Sequence, residues 1–169
     1  MVRRVTAPPA RIAVVGAGAT SLVGELADTG LEVIALDVSS AAIAALRSRY
    51  EDVEKICYEV ADVCSWRPHE QVDTWHDRAV FHFLVENADQ QAYAESVRCA
   101  VRLDGHLVIA TFAPDGPEQC SGLPVARHDA ASLSAIFGGF ELVDSFESDH
   151  ATPWGSTQRF THSVLRRVI

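Results

Sequence analysis

The sequence is short of lysine, of paired cysteines and of long apolar runs, and each shortage closes off a class of protein. Lys55 is the sole lysine, and 23 acidic side chains against 14 lysines and arginines leave a formal net charge of −9. Such a chain carries no general basic surface for a phosphate backbone, so no nucleic-acid partner is expected. The arginine-for-lysine bias speaks more of a GC-rich genome than of a function. No apolar run nears the roughly 20 residues needed to cross a bilayer, so no membrane partner is expected either. Residues 1–9 contain Arg3 and Arg4 but no apolar stretch behind them, unlike a secretory signal. The four cysteines, Cys57, Cys64, Cys99 and Cys120, form no C-x-x-C pair. That argues for reduced thiols in a cytoplasmic protein rather than a disulfide framework, and no metal site is expected. Internal repeats, low-complexity tracts and linkers are also missing.

What is present is an alternation of strand and helix patterns. With 169 residues, 48% of them apolar, the chain fits one domain that buries roughly 70% of its unfolded surface. Residues 1–10 read as an N-terminal extension and 11–169 as the domain. Residues 11–15 form a short apolar run ending at Gly16, which predicts a buried strand. Thr20 or Ser21 can cap a helix over 22–29, stopped by Gly30. A second strand is predicted over 31–37, a helix capped by Ser39 or Ser40 over 41–50, a third strand over 56–60 and a fourth over 71–75. Residues 88–102 are helical in composition, and Gly105 precedes a strand over 106–112. A loop rich in proline and glycine covers 113–124. A helix over 130–137, stopped by Gly138 and Gly139, leads to strands over 140–148 and 158–166. The segment between those strands is too short for a crossover helix, so they are antiparallel neighbours. The fold class is α/β: a Rossmann-like, doubly wound, mostly parallel sheet with an antiparallel C-terminal hairpin.

In such a sheet, ligands gather outside the carboxyl ends of the strands. Gly16-Ala17-Gly18 follows the first strand, where small residues admit close approach and a helix start offers free N–H groups. A tight turn without a ligand is the alternative. Asp37, followed by Val38, ends the second strand about 20 residues on, where an acid can accept from ribose hydroxyls; capping the next helix is its other reading. After the third strand, Asp62 can accept from an adenine amino group while Val63 covers the ring, or Asp62 simply closes a turn. Asp77 lies just beyond the fourth strand, where it can orient an acceptor, take a proton, pair with Arg78 or cap a helix. Arg78 can grip an anion bidentately or form a structural fork. His76 and His82 can titrate near neutrality at the site, while His82, between Phe81 and Phe83, also reads as a satisfied interior histidine. His150, Thr152 and Trp154 follow a strand that runs parallel to the centre, so they belong near the substrate mouth. Cys120 has no basic neighbour or helix start to make it a reactive thiolate.

Taken together over residues 11–166, Gly16-Ala17-Gly18, Asp37 and Asp62-Val63 resemble the class I S-adenosylmethionine-dependent methyltransferases. The resemblance implies a seven-stranded sheet and S-adenosylmethionine as cofactor. It implies that Gly16, Ala17 and Gly18 line its methionine part, Asp37 and Val38 its ribose side, and Asp62 and Val63 its adenine. Residues 73–84 are similar to the segment after strand four in small bacterial proteins of the methyltransferase-domain type. Trp75-His76-Asp77-Arg78 is distantly similar to thiopurine methyltransferases; 116–124 and 150–155 resemble the same bacterial group. The implied activity is in-line methyl transfer to a small-molecule or protein acceptor. Placing the acceptor is the main task and a base is optional. Asp77 and Arg78 are the catalytic candidates, with His82, His150 and Trp154 on the substrate side.

Three features depart from that family. Val14 stands where it has an acid, Thr20 fills the third glycine position, and only about ten residues precede the first strand, where relatives carry a helical segment. They motivate a second reading, a non-catalytic cofactor-binding or partner subunit. A third reading, an NAD- or FAD-dependent oxidoreductase, rests on the same glycine turn, with Ser21 at the place of the last glycine. A homo-oligomer is left open.

Overall fold

Alternation along each strand builds two apolar layers from one sheet. In β1 (Arg11–Val15), Ile12 and Val14 point into one core while Ala13 and Val15 point into the other. The computed structural model describes residues 1–18, 20–152 and 155–169. The remaining parallel strands are β2 (Glu32–Asp37), β3 (Ile56–Val60), β4 (Val72–Arg78) and β5 (Val101–Phe112). A two-stranded ribbon, β6 (Gln119–Cys120) and β7 (Leu123–Pro124), interrupts the loop expected over 113–124. The chain closes with β8 (Phe140–Ala151) and β9 (Thr157–Arg167). The main sheet has seven strands in the order β3-β2-β1-β4-β5-β9-β8, with β9 antiparallel to both neighbours. This is the sheet implied by the sequence, hairpin included.

Helices cover both faces. The 3-10 turn Phe81–Phe83, α4 (Asn87–Ala100) and α5 (Ala130–Ile136) pack over Trp75, Leu107 and Leu165. On the other side α1 (Val2–Val5), α2 (Leu22–Asp28) and α3 (Ser40–Arg49) cover Ile12, Val33 and Ala35. Burial on both faces is why the central strands read as continuous apolar runs. The Ser39 hydroxyl accepts from the Ala42 N–H at 3.2 Å, capping α3 as expected. At α2, Thr20 accepts from the Leu22 N–H at 3.2 Å, whereas the Ser21 hydroxyl donates to Glu25 at 2.8 Å.

Three further local features were not in the sequence reading. First, β4 runs on to Arg78 rather than stopping at Trp75. Its polar end, His76-Asp77-Arg78, carries no strand signature, yet tertiary partners hold it in register with β1 and β5. Second, β5 starts at Val101 with no loop after α4. Asp104 has φ 61°, and the pairing with β4 jumps from Val72–Val101 to Thr74–His106. A Cβ on Gly105 would lie 2.8 Å from the Asp73 carbonyl oxygen and 2.9 Å from that of Arg102, so this bulge requires glycine. Third, residues 1–10 are docked to the sheet. Val2 is buried in α1, and the Thr6 and Thr74 hydroxyls are hydrogen-bonded at 2.6 Å.

Candidate functional site

The carboxyl ends of β1, β2 and β3 are tied together by short polar links. Gly16 and Gly18 adopt φ +58° and +47°, a region that favours glycine. A Cβ on Gly16 would stand 2.2 Å from Val80 Cγ2, so any larger residue there forces Val80 to shift. The Ala17 N–H donates to the Leu36 carbonyl at 3.0 Å. Asp37 Oδ2 accepts from the Gly18 N–H at 2.8 Å, and Oδ1 accepts from the Ser39 N–H at 2.8 Å. Asp37 thus locks the glycine turn to the end of β2, a role additional to those its sequence position suggested. Beside it Val38 is 75% exposed and Val60 54% exposed, two apolar side chains facing water at the strand edge. The Ala61 N–H donates to the Asp37 carbonyl at 3.1 Å. Asp62 follows, exposed, with Oδ1 accepting from the Cys64 N–H at 2.8 Å. Val63 packs half-buried against the α4-side core.

Asp77 sits differently from its expected place at an open edge. It lies within β4 and is almost wholly buried. Its carboxylate accepts from the Val80 N–H at 2.9 Å, the Phe81 N–H at 3.0 Å and the Tyr93 hydroxyl. The Trp75 indole donates to the same Tyr93 oxygen at 2.8 Å. Burial pushes the Asp77 carboxyl up to about 6, against the pull of these three donors, and pushes the Tyr93 hydroxyl well above its usual range. Asp77 thus holds the turn beneath Gly16 while bordering the cavity that opens below it.

The expected Asp77–Arg78 ion pair does not form. Arg78 ends β4, exposed, with its guanidinium 6.0 Å from the centre of the Phe160 ring and no ion pair among the described residues. His82 is interior, as its aromatic flanks suggest, with no exposed surface for an acceptor. It is not satisfied there: neither ring nitrogen has a partner among the described residues. Burial, then the neighbouring His128, pushes His82 down to about 4. His150 is exposed near the end of β8, opposite Gln158 and edge-on to Phe160 at 6.4 Å. Trp154 lies outside the described residues.

Below the glycine turn a cavity of about 880 Å³ opens between α1, α2 and the β8–β9 hairpin. Gly16, Arg78, Val108 and Ala110 line it, as do His76 and two residues the sequence reading did not place there, Phe146 and His162. The Phe146 and His162 rings stack across the β8–β9 register at 4.7 Å and 11°. His162 Nε2 shares a hydrogen bond with the Ser148 hydroxyl at 2.9 Å. His76 Nδ1 is buried with no partner among the described residues. Burial, reinforced by Arg78, pushes His76 down to about 4 and lowers His162. Only the strand pairing brings these residues together; His76 was weighed as titratable, but no local signal points to Phe146 or His162.

Several kinds of comparison bear on this site. The family profile described as "Methyltransferase domain" matches residues 12–105. Thiocyanate methyltransferase 1 of Arabidopsis thaliana is 28% identical over 151 residues, covering 86% of this chain. The chain spans 65% of that protein's length, less than two thirds. Among solved structures, a SAM-dependent methyltransferase from Methanosarcina mazei superposes with a TM-score of 0.84 at 14% identity, over 99% of this chain and 97% of the other. The N-methyltransferase NodS from Bradyrhizobium japonicum WM9, in complex with S-adenosyl-L-homocysteine, gives 0.75 at 14% identity, over 94% and 78%. The Burkholderia thailandensis 1,6-didemethyltoxoflavin-N1-methyltransferase, with bound 1,6-didemethyltoxoflavin and S-adenosylhomocysteine, gives 0.76 at 20% identity, over 95% and 72%. These structures share the fold.

Proposed function

Because this chain belongs to the methyltransferase-domain family, we propose that it transfers a methyl group from S-adenosylmethionine to a small-molecule acceptor. One observation carries the reading. The Gly18–Asp37–Ser39 link holds a glycine turn, an acid and the exposed Val38 in one cradle at the strand ends. The residues fit the cofactor: Gly16 leaves no room for a side chain, and Asp37 keeps lone pairs free while holding Gly18. When bound, S-adenosylmethionine supplies a methyl carbon activated on a sulfonium.

The protein's own groups bind and orient. Gly16, Ala17 and Gly18 let the backbone approach the methionine part, and Asp37 accepts from the ribose. Asp62 and Val63 take the adenine, with Val38 and Val60 as apolar cover. Asp77 is a positioning residue: it fixes the Val80–Phe81 backbone against which Gly16 packs. Arg78 is the group left to touch the acceptor. The cavity volume suits a small molecule, since ligand pockets run to roughly 300–1,000 Å³. A protein acceptor is the less favoured alternative. No helix among the described residues is long and apolar enough to cross a membrane. A cytoplasmic bacterial setting without a nucleic-acid partner is part of the proposal, supported by four free thiols and the acidic composition.

A second reading, a non-catalytic subunit, draws on Val14, which is 2% exposed and leaves no carboxylate at the family's acid position. Calorimetry with S-adenosylhomocysteine separates the two. Measurable binding is expected, weakened at least tenfold by Asp37→Ala, about 1.4 kcal/mol. No heat at millimolar ligand favours the non-catalytic subunit, and stabilisation by NAD alone favours an oxidoreductase.

A further inference from the structure

We infer that the cavity between α1, α2 and the β8–β9 hairpin is the acceptor pocket, and that it takes a planar aromatic molecule carrying a carboxylate-type anion. This rests on the methyltransferase reading and names the acceptor class that the reading leaves open.

The position comes first. Gly16, Thr20 and Ser21 form part of the cavity wall, so it opens directly onto the cofactor turn. A second cavity of about 760 Å³ opens elsewhere, at the amino ends of β1 to β3. There Arg11 already pairs with Glu32 and Glu70, and the glycine turn takes no part in its wall.

Charge sets the sign of the ligand. Arg3 and Glu25 face each other at 4.0 Å, with Glu25 also accepting from Ser21, so they offset one another. The Asp77 carboxylate is taken up by Val80, Phe81 and Tyr93. His76 and His162 are held neutral near pH 7 by burial and by Arg78 itself. The Met1 ammonium also borders this wall, and together with Arg78 it outweighs the Asp77 carboxylate; the wall is net positive in a chain whose net charge is −9, with Arg78 its exposed side-chain cation without an ion pair among the described residues. Its guanidinium is steadied over Phe160 but keeps its N–H fork free for a planar oxyanion.

Shape sets the rest. Phe146 stacks on His162 with one face, yet is 44% exposed and lines the cavity. Its uncovered face is an aromatic shelf, the surface against which another flat ring packs. An aromatic shelf beside an exposed guanidinium makes a two-point site for a flat anion.

Binding of three probes tests this, each titrated by calorimetry into protein saturated with S-adenosylhomocysteine. They are 2-naphthoate, its neutral counterpart 2-naphthamide, and the non-planar anion cyclohexanecarboxylate. Naphthoate is expected to bind at least tenfold tighter than either control. Arg78→Gln should weaken naphthoate tenfold and leave naphthamide within twofold. Phe146→Ala should weaken both about tenfold, and Phe146→Tyr should restore them. Naphthoate no tighter than naphthamide, or indifferent to both Arg78→Gln and Phe146→Ala, overturns the assignment. The cofactor titration keeps the two ideas apart. Product binding without naphthoate binding sinks the pocket alone, whereas absence of product binding sinks the methyltransferase reading on which it rests.

Discussion

Replacing His82 with leucine should change the acid stability of this protein far more than its stability at neutral pH. The ring is buried, with both nitrogens unpartnered among the described residues. At pH 7 leucine relieves a stranded polar group, worth ~1–3 kcal/mol. It gives up ring contacts with Phe83 at 4.6 Å and Phe112 at 4.7 Å, worth ~0.5–1.5 kcal/mol each. The two nearly cancel, so variant and parent should agree within ~1 kcal/mol at pH 7. On acidification the balance moves. The unfolded chain protonates this imidazole near 6.5, but burial delays the folded protein to about 4. Between those values the unfolded state holds the extra proton, so the parent loses stability as pH falls. At ~1.4 kcal/mol per unit, the loss reaches about 3 kcal/mol by pH 4. His82→Leu lacks that loss. Urea unfolding read by tryptophan emission suits the test, because Trp66 and Trp75 are both buried. The gap between variant and parent should widen by about 3 kcal/mol from pH 7.5 to pH 4. Parallel stability curves across that range would falsify the account of a neutral, unpartnered imidazole.

Asp77→Asn should show the opposite sign. The Asp77 carboxyl is raised to about 6 in the fold against 3.8 unfolded, so its protonation favours the folded state below 3.8 and that benefit is lost as pH rises through 6. The variant should therefore gain ~2 kcal/mol on the parent between pH 4 and pH 7 in the same urea assay, and a flat difference would contradict the buried-carboxylate argument. Gly16→Ala combines a strained φ with a 2.2 Å clash on Val80. A loss of ~1–3 kcal/mol is expected, a drop in Tm of roughly 2–9 °C by calorimetry, with weaker S-adenosylhomocysteine binding. An unchanged Tm would mean that the turn relaxes freely. Tyr93→Phe removes the hydroxyl shared by Trp75 and Asp77, and should cost ~1–3 kcal/mol while raising the Asp77 pKa further. A pH–stability curve that stays in place would remove Tyr93 from that network.

The glycine turn and the acid that ties it down were legible because they are local. Gly16 and Gly18 are needed where the backbone turns with positive φ, and Asp37 stands at the end of a strand whose length its apolar run declares. The wall of the cavity below them was not. The polar residues His76-Asp77-Arg78 look like a loop, and they form strand only because β1 and β5 flank them and Tyr93 receives the buried carboxylate. Asp77 was therefore expected at an open edge and instead lies under it. His82 was weighed both as interior and as a site residue, and its packing against Phe83 and Phe112 puts it inside.

By itself the sequence determined the order of strands and helices, the parallel sheet with its final hairpin, and the glycine turn, because hydrophobic period, caps and turn residues act over a few neighbouring positions. Tertiary structure alone decided which side chains share a wall. Phe146 meets His162, and Arg78 is left without a carboxylate, only once β9 pairs between β5 and β8. That register depends on contacts distant in sequence, and no window of residues encodes it.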